Sequence, residues 1–216
     1  MHERLYLDPI SPDDASLSRA VEVLRRGGTV VYPTDTLYGI GADPYNETAL
    51  LRVQRAKHRL ESKPLLLITY SVESARSIVE NIPPAAIPLI KEFWPGPLTL
   101  ILPARPGMST LITQNSGTVG VRIPANALSL RLTELYGGPI ISTSANITGE
   151  PTPASLDEIV RTLGDGVDLY LDAGLLPLSG PSTLIDMTVT PPRILRCGAV
   201  TRNQLRTVLP EIQDEA

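Results

Sequence analysis

The sequence is poor in the residues that build disulfides, metal sites and hydrolase triads. Cys197 is the only cysteine among 216 residues, which excludes an internal disulfide and a cysteine-based metal site and fits a reducing compartment. His2 and His58 are the only histidines, and neither stands in a His/Asp/Glu cluster with metal-ligand spacing. The chain also lacks a G-x-S-x-G sequence, which argues against a Ser-His-Asp hydrolase.

Aromatic residues and long apolar runs are equally scarce. Aromatics make up 4% of the chain and the net charge is −4, which argues against a protein that coats nucleic acid by bulk charge or base stacking. The longest apolar run covers residues 65–68, far short of the ~18 that a membrane span needs, and the polar start MHERLYLDP has no signal core. We expect a soluble, cytoplasmic protein.

The familiar nucleotide-binding loops are missing as well. The chain contains no Walker A sequence, G-x-x-x-x-G-K-[ST], and no G-x-G-x-x-G after a predicted strand. A phosphate group would therefore have to be bound by another arrangement.

The composition is that of a globular protein, with 42% apolar and 19% charged residues. Short β-like runs alternate with amphipathic helical stretches, which predicts an α/β fold with helices packed on a sheet. Several strands follow one another without a helix between them, so a mixed sheet is expected. No repeat, low-complexity tract or linker divides the chain, and we predict a single domain over residues 1–216.

Helix boundaries carry local signals. The stretch 15–26 is amphipathic and meets Gly27-Gly28, a typical stop. Asn46 can cap the next helix, and Ser155 opens a plausible capping box. Further helices are predicted from about residue 71, up to residue 93, over 126–136 and from residue 201. The second helix has an apolar stripe, expected to be buried, of Ala49, Leu50, Val53, Ala56 and Leu60.

Residues 52–63, RVQRAKHRLESK, carry five Lys/Arg against one acid. A helix that ends near Lys57 favours cations in its last turn, but each gains only ~0.3–1 kcal/mol. Pro64 forces the chain out of the helix, so Lys57 and Arg59 can share a side and, with Lys63, bind a triphosphate. From charge alone, the helix-terminus and phosphate-site interpretations both stay open.

Two extended segments place polar side chains on one face, because side chains alternate along a strand. In TVGVRIP these are Thr118, Gly120 and Arg122, and the glycine leaves room for a ligand close to the sheet. In ISTSAN they are Ser142, Ser144 and Asn146. A solvent-facing strand or an exposed edge strand would show the same alternation.

A third segment, YPTDTLYGIG, adds hydroxyl groups. If it is extended, Tyr32, Thr34, Thr36 and Tyr38 fall on one side, followed by two glycines that let the backbone turn closely around a ligand. An ordinary threonine-rich strand would also fit, since threonine has good β propensity.

Six motifs in register resemble the YrdC-type threonylcarbamoyl-AMP synthase family. They are VVYPTDTLYGIG, Lys57-His58-Arg59 with Lys63-Pro64-Leu65, TVGVRIP, STSANITGEPT, PSTLID and RILRCGAV. The resemblance covers about residues 14–205. It implies a YrdC-like fold, a twisted open mixed α/β sheet with flanking helices and a large concave cavity, in the short single-domain form.

The resemblance also implies an activity. Such a synthase is a nucleotidyltransferase that joins L-threonine, bicarbonate and ATP into threonylcarbamoyl-AMP, releases pyrophosphate and supplies the t6A modification of tRNA. Mg²⁺ would enter with ATP, no protein metal ligand is implied, and the partners would be the downstream tRNA threonylcarbamoyl-transfer proteins and tRNA at the basic patch. The alternative is an RNA-binding YrdC-like paralogue without synthase activity.

Site residues carry over position by position. Ile68 stands where some members have a histidine, so no threonine contact is assigned there. We expect Lys57 and Arg59 to be exposed in the cavity. The resemblance implies a catalytic set of Lys57, Arg59, Ser144 and Asn146, a threonine set of Thr36, Arg122, Ser142 and Ser182, and an ATP set of Arg59, Lys63, Thr118, Ser144, Thr152 and Arg196.

Overall fold

The computed structural model describes residues 2–8, 12–58, 64–176 and 180–214. Arg59, Leu60 and Lys63 lie outside these ranges, so the roles and the burial expected for their side chains stay predictions.

The described chain contains twelve strands and eight α-helices. Their order is β1 (Glu3–Tyr6), α1 (Asp14–Arg25), β2 (Val30–Tyr32), β3 (Gly39–Gly41), α2 (Glu47–Ala56), β4 (Leu66–Ile68), α3 (Val72–Ala75), α4 (Ala86–Phe93), β5 (Leu98–Pro103), α5 (Thr110–Thr113), β6 (Thr118–Arg122), α6 (Ala127–Tyr136), β7 (Ile140–Ile141), β8 (Thr143–Ser144), α7 (Leu156–Leu163), β9 (Leu169–Asp172), β10 (Thr183–Asp186), β11 (Arg193–Arg196), α8 (Arg202–Val208) and β12 (Gln213–Asp214).

The strands form two mixed sheets. The first has the order β1-β9-β2-β3-β8, and the second has the order β12-β11-β10-β5-β6-β4-β7. Each combines parallel pairs, such as β2 with β9 and β4 with β6, with antiparallel pairs, such as β2 with β3 and β5 with β6. The predicted α/β class with mixed pairing is confirmed, although the strands divide between two sheets where the pattern suggested one.

Two apolar clusters hold the sheets and helices together. The smaller one packs α1 and α6 on the first sheet through Leu17, Leu24, Leu128 and Leu132. The larger one joins strands of both sheets to side chains of α2, α4, α7 and α8. Truncation of such a fully buried leucine to alanine typically costs about 2–5 kcal/mol of stability. These clusters fix the strands that carry the polar side chains of the site.

The predicted helix starts are confirmed where side-chain caps specify them. The carboxylate of Asp13 accepts from the Ser16 N–H at the start of α1, and the Asn46 side chain accepts from Ala49 N–H at the start of α2. Ser155 caps α7, and Thr201 forms a full capping box with Gln204 in α8. Each cap satisfies a backbone N–H that has no partner within its helix. The four described members of the α2 stripe are buried as predicted; they are Ala49, Leu50, Val53 and Ala56.

In the four described ranges, every helix is too short or too polar to cross a bilayer.

Candidate functional site

A cavity of about 1070 Å³ lies between the two sheets. The first sheet contributes residues of the β2–β3 turn and β8, and the second contributes side chains of β4, β5, β6, β10 and β11. The loop after β8 closes one side with Thr148, Glu150 and Thr152. Binding pockets for one small molecule usually measure about 300–1000 Å³, so this volume suits a nucleotide together with a smaller molecule.

The face prediction for β6 is confirmed. Thr118, Gly120 and Arg122 line the cavity, while Val119 and Val121 belong to the larger apolar cluster. A Cβ on Gly120 would meet Ile101, Leu66 and Thr99 at 3.3–3.5 Å, and all three of these residues line the cavity. A side chain at position 120 would therefore crowd these neighbours in the cavity wall.

Arg122 is buried, with 3% of its surface exposed. Its Nε donates to the Gly96 carbonyl at 2.9 Å, its Nη1 donates to Thr36 Oγ1 at 3.0 Å, and its Nη2 donates to the Asp35 carboxylate. A guanidinium has five N–H donors, so one N–H on each terminal nitrogen is left after these three bonds. Such a pair of donors matches the geometry of a carboxylate.

The extended interpretation of YPTDTLYGIG is wrong. The chain leaves β2 after Tyr32, bends over residues 35–37 and returns as β3, antiparallel to β2. Thr34 causes the bend, because its hydroxyl accepts from the backbone N–H groups of Thr36 and Leu37 and donates to the Leu37 carbonyl at 2.7 Å. Thr34, Thr36 and Tyr38 nevertheless line the cavity, whereas Tyr32 is buried beneath it.

The segment PIISTSAN is divided between the two sheets. Ile140–Ile141 pair with β4 in the second sheet, and Thr143–Ser144 pair with β3 in the first. Ser142 is the single residue between them and is buried at the cavity wall. Ser142, Ser144 and Asn146 all line the cavity as predicted, and Thr143, which alternation would place on the opposite face, lines it too.

Burial raises the pKa of the Tyr32 phenol well above its usual range, while a hydrogen bond with Ser142 and the charge of Arg122 act in the opposite direction. Burial also raises the pKa of Tyr38 to about 12, and its hydroxyl donates to the Gly174 carbonyl at 2.8 Å. Both phenols therefore stay protonated near neutral pH and cannot act as bases there.

The expectation that Lys57 is exposed in the cavity is wrong. Its surface is 3% exposed, and its Nζ donates to the backbone carbonyls of Ser144 and Asn146 and, at 3.3 Å, to Asn146 Oδ1. Lys57 caps the end of α2, so its ammonium ties this helix to the loop after β8. The amide of Asn146 in turn donates to the carbonyls of Ile147 and Glu150. Lys57 and Asn146 thus shape the loop that carries Ser144.

The basic segment does not act as one patch in its described part. Arg52 forms an ion pair with Asp168, on residues outside the cavity lining, and Arg55 is exposed on the surface. Of the described basic residues in 52–58, only Lys57 reaches the cavity wall.

The β11 side of the cavity holds Ser182 and Arg196. Arg196 is exposed and donates to the Ser182 carbonyl through Nε at 3.1 Å and Nη2 at 2.9 Å. Ser182 shares a hydrogen bond of 2.8 Å with Thr99 Oγ1. Partial desolvation by the surrounding protein lowers the pKa of Arg196, and the charge of Arg122 lowers it further. The guanidinium nevertheless stays protonated, as arginine does in proteins. Two guanidinium groups therefore line one cavity, and Arg122 is the one paired with a carboxylate.

Thr118 and Thr152 also line the cavity, as does Pro64 just beyond the basic segment. Thr118 shares a 2.8 Å hydrogen bond with Ser116. Every predicted site residue in the described ranges therefore lies at this one cavity.

The sequence interpretation missed Asp35 and Thr99, and it missed the turn-forming role of Thr34. Asp35 is the carboxylate partner of Arg122, and Thr34 shapes the turn that presents Thr36. An acid flanked by two threonines directly after a strand was the available signal for Asp35. Thr99 gave no such signal, because the residues of LTLIL alternate as those of an ordinary strand do.

Comparisons with known families, sequences and structures agree with the motifs found in the sequence. A family model named Sua5_yciO_yrdC, with the description telomere recombination, matches residues 22–198. The chain is 38% identical over 194 residues to threonylcarbamoyl-AMP synthase of Pyrococcus abyssi, which covers 90% of this chain and 57% of that protein. The crystal structure of P. abyssi Sua5 complexed with L-threonine superimposes with a TM-score of 0.92 at 34% identity, covering 100% of this chain and 62% of that one.

The crystal structure of E. coli YciO superimposes with a TM-score of 0.88 at 29% identity, covering 95% of this chain and 100% of that one. The fold and the site define an α/β protein with one polar cavity between two mixed sheets. The chain belongs to the Sua5/YciO/YrdC family, as the sequence motifs predicted. It spans somewhat less than two thirds of the P. abyssi protein.

Proposed function

We propose that this protein is an L-threonylcarbamoyladenylate synthase, a nucleotidyltransferase that condenses L-threonine, bicarbonate and ATP and supplies the t6A modification of tRNA. The observation that carries the proposal is the buried Arg122, which keeps one N–H on each terminal nitrogen beside the hydroxyl of Thr36 in a cavity large enough for two substrates. The relatives named threonylcarbamoyl-AMP synthase support it.

On the β6 side, Arg122 would bind the threonine carboxylate with its two remaining N–H donors. Thr36, Ser142 and Ser182 present hydroxyls to the cavity and would bond the amine or the hydroxyl of threonine. A site built to bond a substrate hydroxyl rejects the analogue that lacks it strongly. These contacts would select threonine over apolar amino acids.

The triphosphate would be bound by Thr118, Ser144, Thr152 and Arg196, with Arg59 and Lys63 as further predicted contacts. Since Lys57 is held by the carbonyls of Ser144 and Asn146, it would act mainly by positioning Ser144. The chemical step needs little covalent help from the protein, because positioning and charge neutralisation supply most of the rate in phosphoryl-type transfers.

The reaction would begin when the threonine amine attacks the carbon of CO₂ and loses a proton, which gives a carbamate. Attack on bicarbonate would give the same carbamate with release of a water molecule. A carbamate oxygen then attacks the α-phosphorus of ATP, and the bond to the pyrophosphate oxygen breaks. Negative charge grows on that leaving group, where cationic side chains stabilise it. Loss of one such donor typically costs on the order of 2–4 kcal/mol in the barrier.

Mg²⁺ would enter with ATP. No cluster of three or more His, Cys, Asp or Glu suited to a metal occurs in the described ranges, but Mg²⁺ is commonly held by substrate phosphates with one or two carboxylates. Glu150 and Asp186 in the cavity lining could supply these carboxylates. When bound, the ion would neutralise charge on the phosphates.

Pyrophosphate release with ATP, threonine and bicarbonate each omitted in turn tests the proposal. We expect release only when all three are present, and mass spectrometry should then detect threonylcarbamoyl-AMP. Release that persists without threonine would contradict the proposal, because it would indicate plain ATP hydrolysis or another acceptor.

The described part of the basic segment counts against the RNA-binding alternative. Arg52 is paired with Asp168 and Lys57 is buried, so residues 52–58 present no continuous cationic surface to a phosphate backbone. A salt titration of RNA binding beside the pyrophosphate assay would separate the two functions.

A further inference from the structure

Arg122 and Asp35 form an ion pair that bridges the two sheets. Arg122 ends β6 in the second sheet, and Asp35 lies in the turn between β2 and β3 of the first. Their side chains are only 4% and 15% exposed. A charge buried to this extent is costly without a partner, so the carboxylate compensates most of the positive charge of Arg122.

This compensation distinguishes Arg122 from Arg196. The described hydrogen bonds of Arg196 go to the carbonyl and hydroxyl of Ser182, which carry no charge. In the second sheet Arg196 on β11 pairs with Leu184 on β10, and Leu184 pairs with Thr99 on β5. Since β6 lies next to β5, the strands of the two arginines are three positions apart. At about 4.8 Å per strand, this corresponds to roughly 14 Å between backbones. One cavity thus contains an arginine paired with a carboxylate and an arginine whose described partners are uncharged.

The difference matters because both proposed substrates carry acidic groups. A bare guanidinium binds phosphate as readily as carboxylate, so an uncompensated Arg122 would also attract the triphosphate. Beside the neutral pair of Arg122 and Asp35, an anion without a positive group gains little net electrostatic attraction. A zwitterion brings its own ammonium next to its carboxylate and therefore fits a neutral ion pair.

We propose that Asp35 is a specificity-determining residue that acts through Arg122. Asp35 balances the charge of the Arg122 guanidinium. The two remaining N–H donors of Arg122 therefore bind zwitterionic α-amino acids in preference to phosphates and simple carboxylates. The inference rests on the proposed function, since it assigns the amino-acid substrate to Arg122.

The test compares two ligands that differ by one group. L-Threonine and 3-hydroxybutyrate share the carboxylate and the β-hydroxyl, but 3-hydroxybutyrate lacks the amine. Calorimetry on the whole protein gives both dissociation constants for the wild type and for Asp35→Asn. A unit charge a few ångströms away changes binding by at least about tenfold at an effective dielectric constant of about 20. We therefore expect the preference for threonine to fall at least about tenfold in Asp35→Asn.

If Asp35 only orients Arg122, both ligands weaken by the same factor and the preference is unchanged, which would overturn the inference. Asp168→Asn is the matched control, because Asp168 also pairs with an arginine, Arg52, but outside the cavity lining. We expect this control to keep the wild-type preference.

Two measurements on the wild type keep the inference falsifiable if Asp35→Asn does not fold. The wild type should bind threonine at least about tenfold more tightly than 3-hydroxybutyrate, and inorganic phosphate should not displace threonine. Equal binding of the two ligands, or displacement by phosphate, overturns the inference. A protein that shows the threonine preference but releases no pyrophosphate contradicts the proposed function alone.

Discussion

Arg122 on β6 is buried and bonded to three protein groups, whereas Arg196 on β11 is exposed and, among the described residues, bonds Ser182. The first guanidinium is fixed before any ligand arrives, and the second is free to adjust. A fixed donor pair suits a small ligand of defined shape, since little conformational entropy is lost on binding. An adjustable cation suits a flexible polyphosphate. The cavity thus combines a preformed β6 side with an adaptable β11 side.

Arg122→Ala is expected to have the largest effect. It breaks the buried ion pair with Asp35, which costs about 3–5 kcal/mol, and it removes the carboxylate clamp. We expect a lower denaturation midpoint in urea and at least about a 100-fold loss of threonine-dependent kcat/KM, as expected for the loss of about 2.7 kcal/mol.

Arg131→Ala is its control, since Arg131 pairs with Asp14 and Glu134 on the exposed surface, where such pairs contribute less than about 1 kcal/mol. An unchanged threonine KM in Arg122→Ala would show that Arg122 does not bind threonine. It would also contradict the assignment of threonine to the β6 side of the cavity.

Lys57→Ala is expected to have an intermediate effect on both stability and activity. The carbonyls of Ser144 and Asn146 lose their common donor, and an unsatisfied buried group costs about 1–3 kcal/mol. Thermal unfolding and pyrophosphate release would measure the two losses. Arg55→Ala, an exposed cation in the same helix, should change neither. Full stability combined with lost activity would instead place Lys57 directly on the phosphates.

Arg196→Ala is expected to have the smallest effect on the fold. Because the side chain is exposed, stability should change by less than about 0.5 kcal/mol, while the KM for ATP should rise about tenfold as one charge-assisted contact is lost. Steady-state kinetics with varied ATP and varied threonine would check this. A selective rise in the threonine KM would show that the two sides of the cavity are not specialised as proposed.

The sequence predicts well those features that depend on local periodicity. The alternation in TVGVRIP assigned Thr118 and Arg122 to one face and Val119 to the core, because a strand with one buried face must alternate. The helix caps at Asn46 and Ser155 were predictable from equally local signals, since a cap acts within three residues.

Features that depend on distant contacts were not predictable. Lys57 looked exposed because its partners Ser144 and Asn146 are 87 and 89 residues away in the chain. The turn at Thr34 was missed because a threonine hydroxyl can bond the backbone as readily as it can face a ligand from a strand. The division into two sheets left no periodic signal, since PIISTSAN alternates as one continuous strand would.

The chain crosses from the second sheet to the first through one residue, Ser142, and this short connection limits the width of the cavity. One residue spans at most about 3.6 Å, so the ends of β7 and β8 cannot separate without breaking their pairs with β4 and β3. Insertion of a single residue here would also shift the register of β8 and exchange the orientations of Thr143 and Ser144 at the cavity wall. Homologous proteins that bind larger substrates would therefore have to gain room elsewhere, in the loops around the cavity.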